Sequence, residues 1–120
     1  DLIKIINYFK IDTKDMLVIH DDLDQKFLNF KFKEISGDGG HNGVKNIIEN
    51  LKTKEFKRLK IGIDKPKTKD ISNYVLSNFS QKELEEIKLK KDLFCNILDD
   101  FLIFDFKKLT ARYSKYGKDN

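Results

Sequence analysis

Helix-like and strand-like apolar patterns alternate along these 120 residues and predict a single α/β domain. Three short segments carry strand patterns, and an amphipathic helix falls between the second and the third. The length leaves room for one domain with one modest core. A composition of 39% hydrophobic and 37% charged residues, with ten Phe and no Trp, is typical of a globular protein.

The N-terminal part of the sequence predicts a helix, a turn and a strand. Residues 2–9 have helix-like apolar spacing, and turn-forming residues follow at 12–15. Residues 16–19 are a continuous apolar run bounded by polar residues, which indicates a buried strand. Three polar residues then lie at the carboxyl end of that strand: His20, Asp21 and Asp22.

The middle of the sequence predicts two further strands around a helix. Residues 28–33 alternate apolar and polar side chains, which predicts a half-exposed strand with Lys31 and Lys33 on its solvent-exposed face. The glycine-rich residues 36–43 follow and open an amphipathic helix with i, i+3, i+4, i+7 spacing of Val44, Ile47, Ile48 and Leu51. Residues 59–63 alternate again and predict a strand that the Lys-Pro-Lys at 65–67 terminates.

The C-terminal part of the sequence is mainly helical. Residues 70–78 predict a short helix, and a long helix with room for one break is predicted from Gln81 to about Lys108. Residues 107–120 are basic and lose the apolar periodicity. We expect this tail to fray unless RNA binds it.

The overall composition limits the class of protein. Lys and Arg outnumber Asp and Glu by 24 to 20, and the resulting charge of +4 suits a polyanionic partner without demonstrating one. The single cysteine, Cys95, excludes an internal disulfide, and we interpret it as an inert helix residue. No apolar run approaches the roughly 20 residues that span a bilayer, so a reducing cytoplasm is the expected location.

The glycine-rich loop at residues 36–43 is the first candidate site. A helix N-terminus exposes unpaired N–H groups that can hold a phosphate. The loop is not a Walker motif, it lacks the spacing of a dinucleotide-binding motif, and Asp38 would repel a phosphate. The loop taken alone therefore favours the alternative, a segment that starts a helix and needs positive φ.

The second candidate is the polar segment at residues 20–24. Several acceptors at the carboxyl end of a parallel strand lie where open α/β folds place their sites, which suggests a metal. No EF-hand pattern and no second histidine at helical spacing support a metal here, so an acidic turn is the favoured alternative.

The third candidate is the pair His41 and Asn42 at the mouth of the glycine-rich loop, because both side chains can donate and accept. Asparagine is among the best helix N-caps. Taken alone, Asn42 is therefore interpreted as the cap of the helix that follows.

Four segments carry a family resemblance in their order and spacing: residues 18–24 (VIHDDLD), 39–45 (GGHNGVK), 56–63 (FKRLKIGI) and 74–79 (YVLSNF). They resemble successive signature segments of the bacterial peptidyl-tRNA hydrolase family. The match runs from about Lys10 to about Phe79, and its first two segments are highly specific.

The resemblance implies one α/β domain with a twisted mixed sheet between helices, in three layers. It implies an enzyme that hydrolyses the ester between a peptide and the 3′ end of its tRNA, which recycles tRNA during translation, with no metal or other cofactor. The expected partner is the acceptor stem and 3′ end of peptidyl-tRNA. We expect a cytoplasmic monomer that binds neither DNA nor a membrane. The alternative is a noncatalytic RNA-binding remnant.

The family's general base is a histidine near the N-terminus, in a segment that reads like Asn-Pro-Gly followed by Thr-Arg-His-Asn. Neither that segment nor the family's Met-Asn-x-Ser-Gly segment occurs here, and His20 and His41 match other segments. The sequence opens on Asp1 and at once on an apolar pattern, without the features of a signal peptide. We therefore expect a domain truncated at its N-terminus that is inactive and folds poorly by itself.

The resemblance assigns roles to five residues. Asp21 matches the aspartate that orients the base histidine and stabilises its imidazolium. Asn42 matches the asparagine that positions the substrate near the 3′ end, and His41 shapes the same loop. Lys33 and Lys60 fall where the family places basic residues that clamp a tRNA phosphate. Two solvated strand lysines are the alternative for this last pair.

This sequence departs from the family pattern at three places. Lys60 stands where arginine is usual, which replaces a bidentate fork by a point charge. Gln-Lys-Phe at residues 25–27 stands where proline and glycine are common, and Asp64 stands where the strand usually ends in glycine. We expect these departures to alter the loops.

Overall fold

The computed structural model describes residues 2–64 and 79–116. The helices are α1 (Leu2–Phe9), α2 (Asn42–Leu51), α3 (Gln81–Phe101) and α4 (Phe106–Tyr113), and the strands are β1 (Leu17–Asp22), β2 (Phe30–Lys33) and β3 (Lys57–Gly62). Short 3-10 turns lie at Thr13–Asp15 and Ser114–Tyr116. The described strands form a mixed open sheet in the order β1-β3-β2, so the predicted α/β class is confirmed.

The chain divides into two compact units. The first comprises Asp1–Asp22 and Lys31–Ile61, and it contains α1, β1, α2 and most of β2 and β3. The second comprises Leu23–Phe30 and Gly62–Asn120, and it contains α3 and α4. The single domain expected from the sequence stays a prediction.

The core of the first unit forms around β3, the middle strand of the sheet. Phe56 and Leu59 are each 1% exposed, and Arg58 between them is 0% exposed. Because neighbouring strand residues point to opposite faces, β3 is covered on both faces. The sequence alternation predicted one buried face over residues 59–63. The structure instead buries both faces and ends the strand at Gly62.

The other elements of the first unit match the sequence patterns in position. Val44 is the buried residue of α2, and Ile6 is the buried residue of α1. The strand β1 extends through Asp22, so the three polar residues lie at its carboxyl end, as predicted. Ile19 is 44% exposed, which differs from the fully buried strand that the apolar run indicated.

A close backbone approach in the second unit requires glycine at position 62. Leu28 donates its N–H to the carbonyl of Gly62 at 2.8 Å, and Gly62 donates to the carbonyl of Asn29 at 2.7 Å. A Cβ at Gly62 would lie 2.0 Å from the carbonyl oxygen of Lys26, where no side chain fits. Leu28 has φ +65°, so β2 begins at Phe30 and not at residue 28 as predicted.

The helices of the second unit confirm the predicted long helix with one break. Ser80 and Glu83 form a capping box at the start of α3, and Asp105 caps α4 by accepting from the N–H of Lys108 at 2.8 Å. Ile97 and Leu109 are fully buried, and the rings of Phe30 and Phe94 meet edge to face with centroids 5.7 Å apart.

The prediction that the chain frays from residue 107 is wrong for the described residues. The segment through Tyr113 is helical, because Leu109 and Tyr113 supply buried contacts that the weak periodicity concealed. The strand ends at Gly62, before the Pro66 that was predicted to terminate it, and the predicted helix over 70–78 lies outside the described residues. Within the described ranges, no helix combines the length and apolar character needed to cross a membrane.

Candidate active site

Asp21 and His41 form a hydrogen-bonded pair in the first unit. Asp21 lies near the end of β1, and His41 is the N-cap residue of α2. The imidazole Nε2 of His41 lies 2.6 Å from Oδ1 of Asp21. The side chain of His41 is 28% exposed and that of Asp21 is 39% exposed, so the pair is reachable from solvent. The structure thus brings together two residues that the sequence places twenty positions apart.

The helix cap fixes the tautomer of His41. The backbone N–H of Val44 donates to Nδ1 of His41 at 3.2 Å, so Nδ1 carries a lone pair. Nε2 therefore carries the proton and donates it to Asp21. Both ring nitrogens are engaged in hydrogen bonds, which makes His41 an orienting partner of the carboxylate.

Asn42 is the first residue of α2 and not its cap. The interpretation of Asn42 as N-cap is wrong, because the neighbouring histidine accepts from the helix N-terminus instead. Asn42 directly follows His41 at the start of α2, and its side chain is exposed. Its amide is available to a ligand.

His20 is the second histidine of the site. Its Nδ1 lies 2.9 Å from the carbonyl oxygen of Asp21, and because a carbonyl only accepts, Nδ1 carries the proton. Nε2 is buried and has no hydrogen-bond partner among the described residues. Burial lowers the pKa of His20 below 6.5, and the backbone hydrogen bond to Asp21 partly opposes this effect. The nearby charges of His41, Lys60 and Arg58 lower the pKa further.

The glycine-rich loop uses positive φ, as the helix-starting interpretation predicted. Gly39 and Gly40 have φ of +56° and +84°. Oδ1 of Asp38 accepts from the N–H of Gly40 at 2.8 Å, and the carbonyl of Asp38 accepts from the N–H of His41 at 2.9 Å. Asp38 therefore holds residues 38–41 in a tight turn that ends at His41, the N-cap residue of α2.

Arg58 is a site residue that the sequence reasoning missed. It is fully buried, and it donates from one terminal nitrogen to the carbonyl of Gly37 at 2.7 Å and from the other to the carbonyl of Lys54 at 3.1 Å. Its guanidinium lies 4.1 Å from the centre of the Phe56 ring. A signal was present, because Arg58 and Lys60 alternate with apolar residues and so share one strand face.

The two lysines of the predicted phosphate clamp differ in environment. Lys33 is exposed at the end of β2, whereas Lys60 is partly buried and donates to Oγ of Ser36 at 2.8 Å. Burial lowers the pKa of Lys60, while Asp22 raises it, and the positive charges of Arg58, Lys33 and Lys31 lower it. Lys60 thus lies within electrostatic reach of Arg58, Lys33 and Lys31, and we call these four residues the basic cluster. The clamp role of Lys33 and Lys60 stays a prediction.

The second candidate of the sequence, a metal site at residues 20–24, finds no support among the described residues. Within them, no three His, Cys, Asp or Glu side chains are grouped to hold a metal ion. The carboxylate of Asp21 faces an imidazole instead.

Comparison with known proteins shows the family of this chain. The profile of the family described as "Peptidyl-tRNA hydrolase" matches residues 2–120. The chain belongs to this family. The peptidyl-tRNA hydrolase of Mycoplasma capricolum is 42% identical over 115 residues, which are 95% of this chain and 61% of that protein. That of Aliarcobacter butzleri is 48% identical over 82 residues, 68% of this chain and 44% of that protein.

A solved structure supports the fold of the family member described here. The crystal structure of peptidyl-tRNA hydrolase from Acinetobacter baumannii superposes with a TM-score of 0.75 at 25% sequence identity. The superposition covers 92% of this chain and 55% of that one. The chain thus spans 44% to 61% of the length of these three relatives.

Proposed function

We propose that the site on this chain serves the hydrolysis of the ester bond of peptidyl-tRNA, which releases free tRNA and peptide. The observation that carries the proposal is the Asp21 carboxylate, held at Oδ1 by the Nε2–H of His41. Its second oxygen makes no hydrogen bond to the described residues, and the side chain is 39% exposed. Membership of the peptidyl-tRNA hydrolase family supplies the substrate class.

In this proposal, Asp21 orients a histidine that takes a proton from the attacking water. A carboxylate beside such an imidazole selects its tautomer and stabilises the imidazolium that forms. Neither histidine of this sequence suits the role of base. His41 has both nitrogens engaged, and the free nitrogen of His20 is buried. We therefore assign the base to a histidine outside these 120 residues.

The substrate contacts are proposed for four residues around this carboxylate. The exposed amide of Asn42 and the imidazole of His41 lie at the N-terminus of α2. We assign them hydrogen bonds to polar groups of the tRNA 3′ end. Lys33 and Lys60 belong to the basic cluster and suit a phosphate of the acceptor stem. Such contacts position a nucleic acid without reading its sequence. We further propose a cytoplasmic monomer.

The test is release of labelled peptide from peptidyl-tRNA by the product of the complete reading frame that encodes this chain. Asp21→Asn keeps the size of the side chain and removes its charge. We expect kcat to fall about 100-fold or more, because base orientation and imidazolium stabilisation are lost together. Asp15→Asn, an exposed aspartate of the same unit, is the matched control and should leave kcat unchanged.

A noncatalytic RNA-binding protein is the other outcome of this test. It would bind peptidyl-tRNA without releasing peptide, and Asp21→Asn would leave its affinity unchanged. Absence of any peptide release by the complete product, with binding intact, would overturn the enzymatic proposal.

A further inference from the structure

Arg58 is fully buried, and burying a guanidinium only to fill the core is unfavourable in free energy. A guanidinium taken out of water loses strong hydration, and an apolar side chain on a middle strand avoids that loss. The burial lowers the pKa of Arg58, and Asp38 is the charged neighbour that opposes this effect. The Arg58 guanidinium nevertheless lies beside the glycine-rich loop, and this position points to a role in holding that loop.

The contacts of Arg58 require its flat, forked shape. Its two terminal nitrogens donate in different directions, to the carbonyl of Gly37 at 2.7 Å and to that of Lys54 at 3.1 Å. The same plane stacks on the Phe56 ring. A lysine ammonium is a single point and cannot span both carbonyls while stacking.

A continuous series of short contacts leads from Arg58 to the Asp21–His41 pair. Arg58 holds Gly37, and the next residue, Asp38, holds both Gly40 and the backbone N–H of His41. Gly39 and Gly40 are conformationally free glycines, so the loop depends on these contacts for its shape. A shift at Gly37 is therefore transmitted to the imidazole of His41.

We propose that Arg58 is a positioning residue that anchors the start of the glycine-rich loop and thereby holds the His41 imidazole against Asp21. The activity readout of this proposal rests on the proposed function. The geometric readout, the state of the His41 ring, does not.

The experiment uses ¹⁵N-labelled complete protein and compares Arg58→Lys with wild type. Wild type should show His41 as a single tautomer with the proton on Nε2. In Arg58→Lys we expect a second tautomer of His41 and a kcat about tenfold lower, because a slightly misplaced group costs rate steeply. We expect KM to change less than twofold. Arg112→Lys, at an exposed arginine of the second unit, is the control and should match wild type in all three readouts.

A second variant keeps the test decisive if Arg58→Lys does not fold. Asp38→Ala removes an exposed loop contact, the acceptor for Gly40, and should shift the His41 tautomer in the same direction by a smaller amount. The proposal is overturned if the folded variants keep one His41 tautomer and wild-type kcat while only their stability falls. A shifted tautomer without any peptide release by wild type would support the positioning role and refute the proposed function.

Discussion

Position 43 illustrates how a single residue can decide the geometry of the site. A Cβ at Gly43 would lie 3.1 Å from Cε1 and 3.3 Å from Nδ1 of His41, closer than a side chain comfortably packs. The small residue thus leaves room for the ring that caps α2 and holds Asp21.

Replacing Gly43 by alanine should therefore separate activity from stability. Alanine is the better helix former, but displacing the His41 ring weakens the N-cap, so the free energy of unfolding should change by less than about 1 kcal/mol. The displaced His41 ring should lower kcat/KM about tenfold. Asn46→Ala, at an exposed position of the same helix, is the matched control for both measurements. Equal kcat/KM in the two variants would contradict this account of His41.

His20 should titrate below its ordinary value of 6.5, because burial opposes its charged form. The unfolded chain then binds the proton more readily than the folded one. Stability should fall as the pH drops below about 6.5 and level off below the folded pKa of His20. Urea unfolding across this range, with His20→Gln as the comparison, should show a weaker loss in the variant. An NMR-measured His20 pKa at or above 6.5 would contradict the burial argument.

The sequence predicted which residues form the candidate site better than it predicted how they are arranged. The family segments indicated Asp21 and His41, yet the cap role was assigned to Asn42, because local propensity does not report which side chain turns back onto the helix. Arg58 was missed since its burial depends on contacts with residues distant in sequence.

At the scale of elements, the loop before β2 and the end of β3 explain one departure from the family pattern. Asp64 donates its N–H to the carbonyl of Gln25 at 3.0 Å and has φ +63°, a conformation that glycine adopts without strain. The family resemblance implies that glycine is usual there, and the positive φ supplies the physical reason.

Asp64→Gly should consequently stabilise the protein by about 0.5–1 kcal/mol, because relief of the left-handed strain exceeds the added chain entropy. Glu55→Gly, at an exposed loop residue without positive φ, is the control and should destabilise by a similar amount. Urea unfolding of both variants measures the difference. A loss of stability in Asp64→Gly would show that its side chain contributes more than its backbone costs.

Element boundaries were predictable where the apolar pattern was strong and failed where the backbone deviated. The break between α3 and α4 was anticipated, and its cap at Asp105 is of a common type. The start of β2 was misplaced, because nothing in an alternating pattern reveals the positive φ of Leu28. The extension of α4 to Tyr113 was missed because its two buried residues are too few to produce a visible period.

At the scale of the whole molecule, the basic cluster should control affinity for tRNA more than the chemical step. Lys33→Gln and Lys60→Gln should each raise KM several-fold and weaken its dependence on salt, because each removes about one phosphate contact. The value of kcat should change little. Lys82→Gln, in the second unit, is the control. An unchanged salt dependence of KM in both variants would favour the interpretation of these residues as solvated strand lysines.

The most direct test of the central claim measures peptide release from peptidyl-tRNA by the 120-residue chain beside the product of its complete reading frame. The claim is that this chain provides the orienting carboxylate and substrate contacts, while the base is neither His20 nor His41. We predict release by the complete product and none by the 120-residue chain. Release by the 120-residue chain at a comparable rate would contradict the claim, because the base would then have to lie within it.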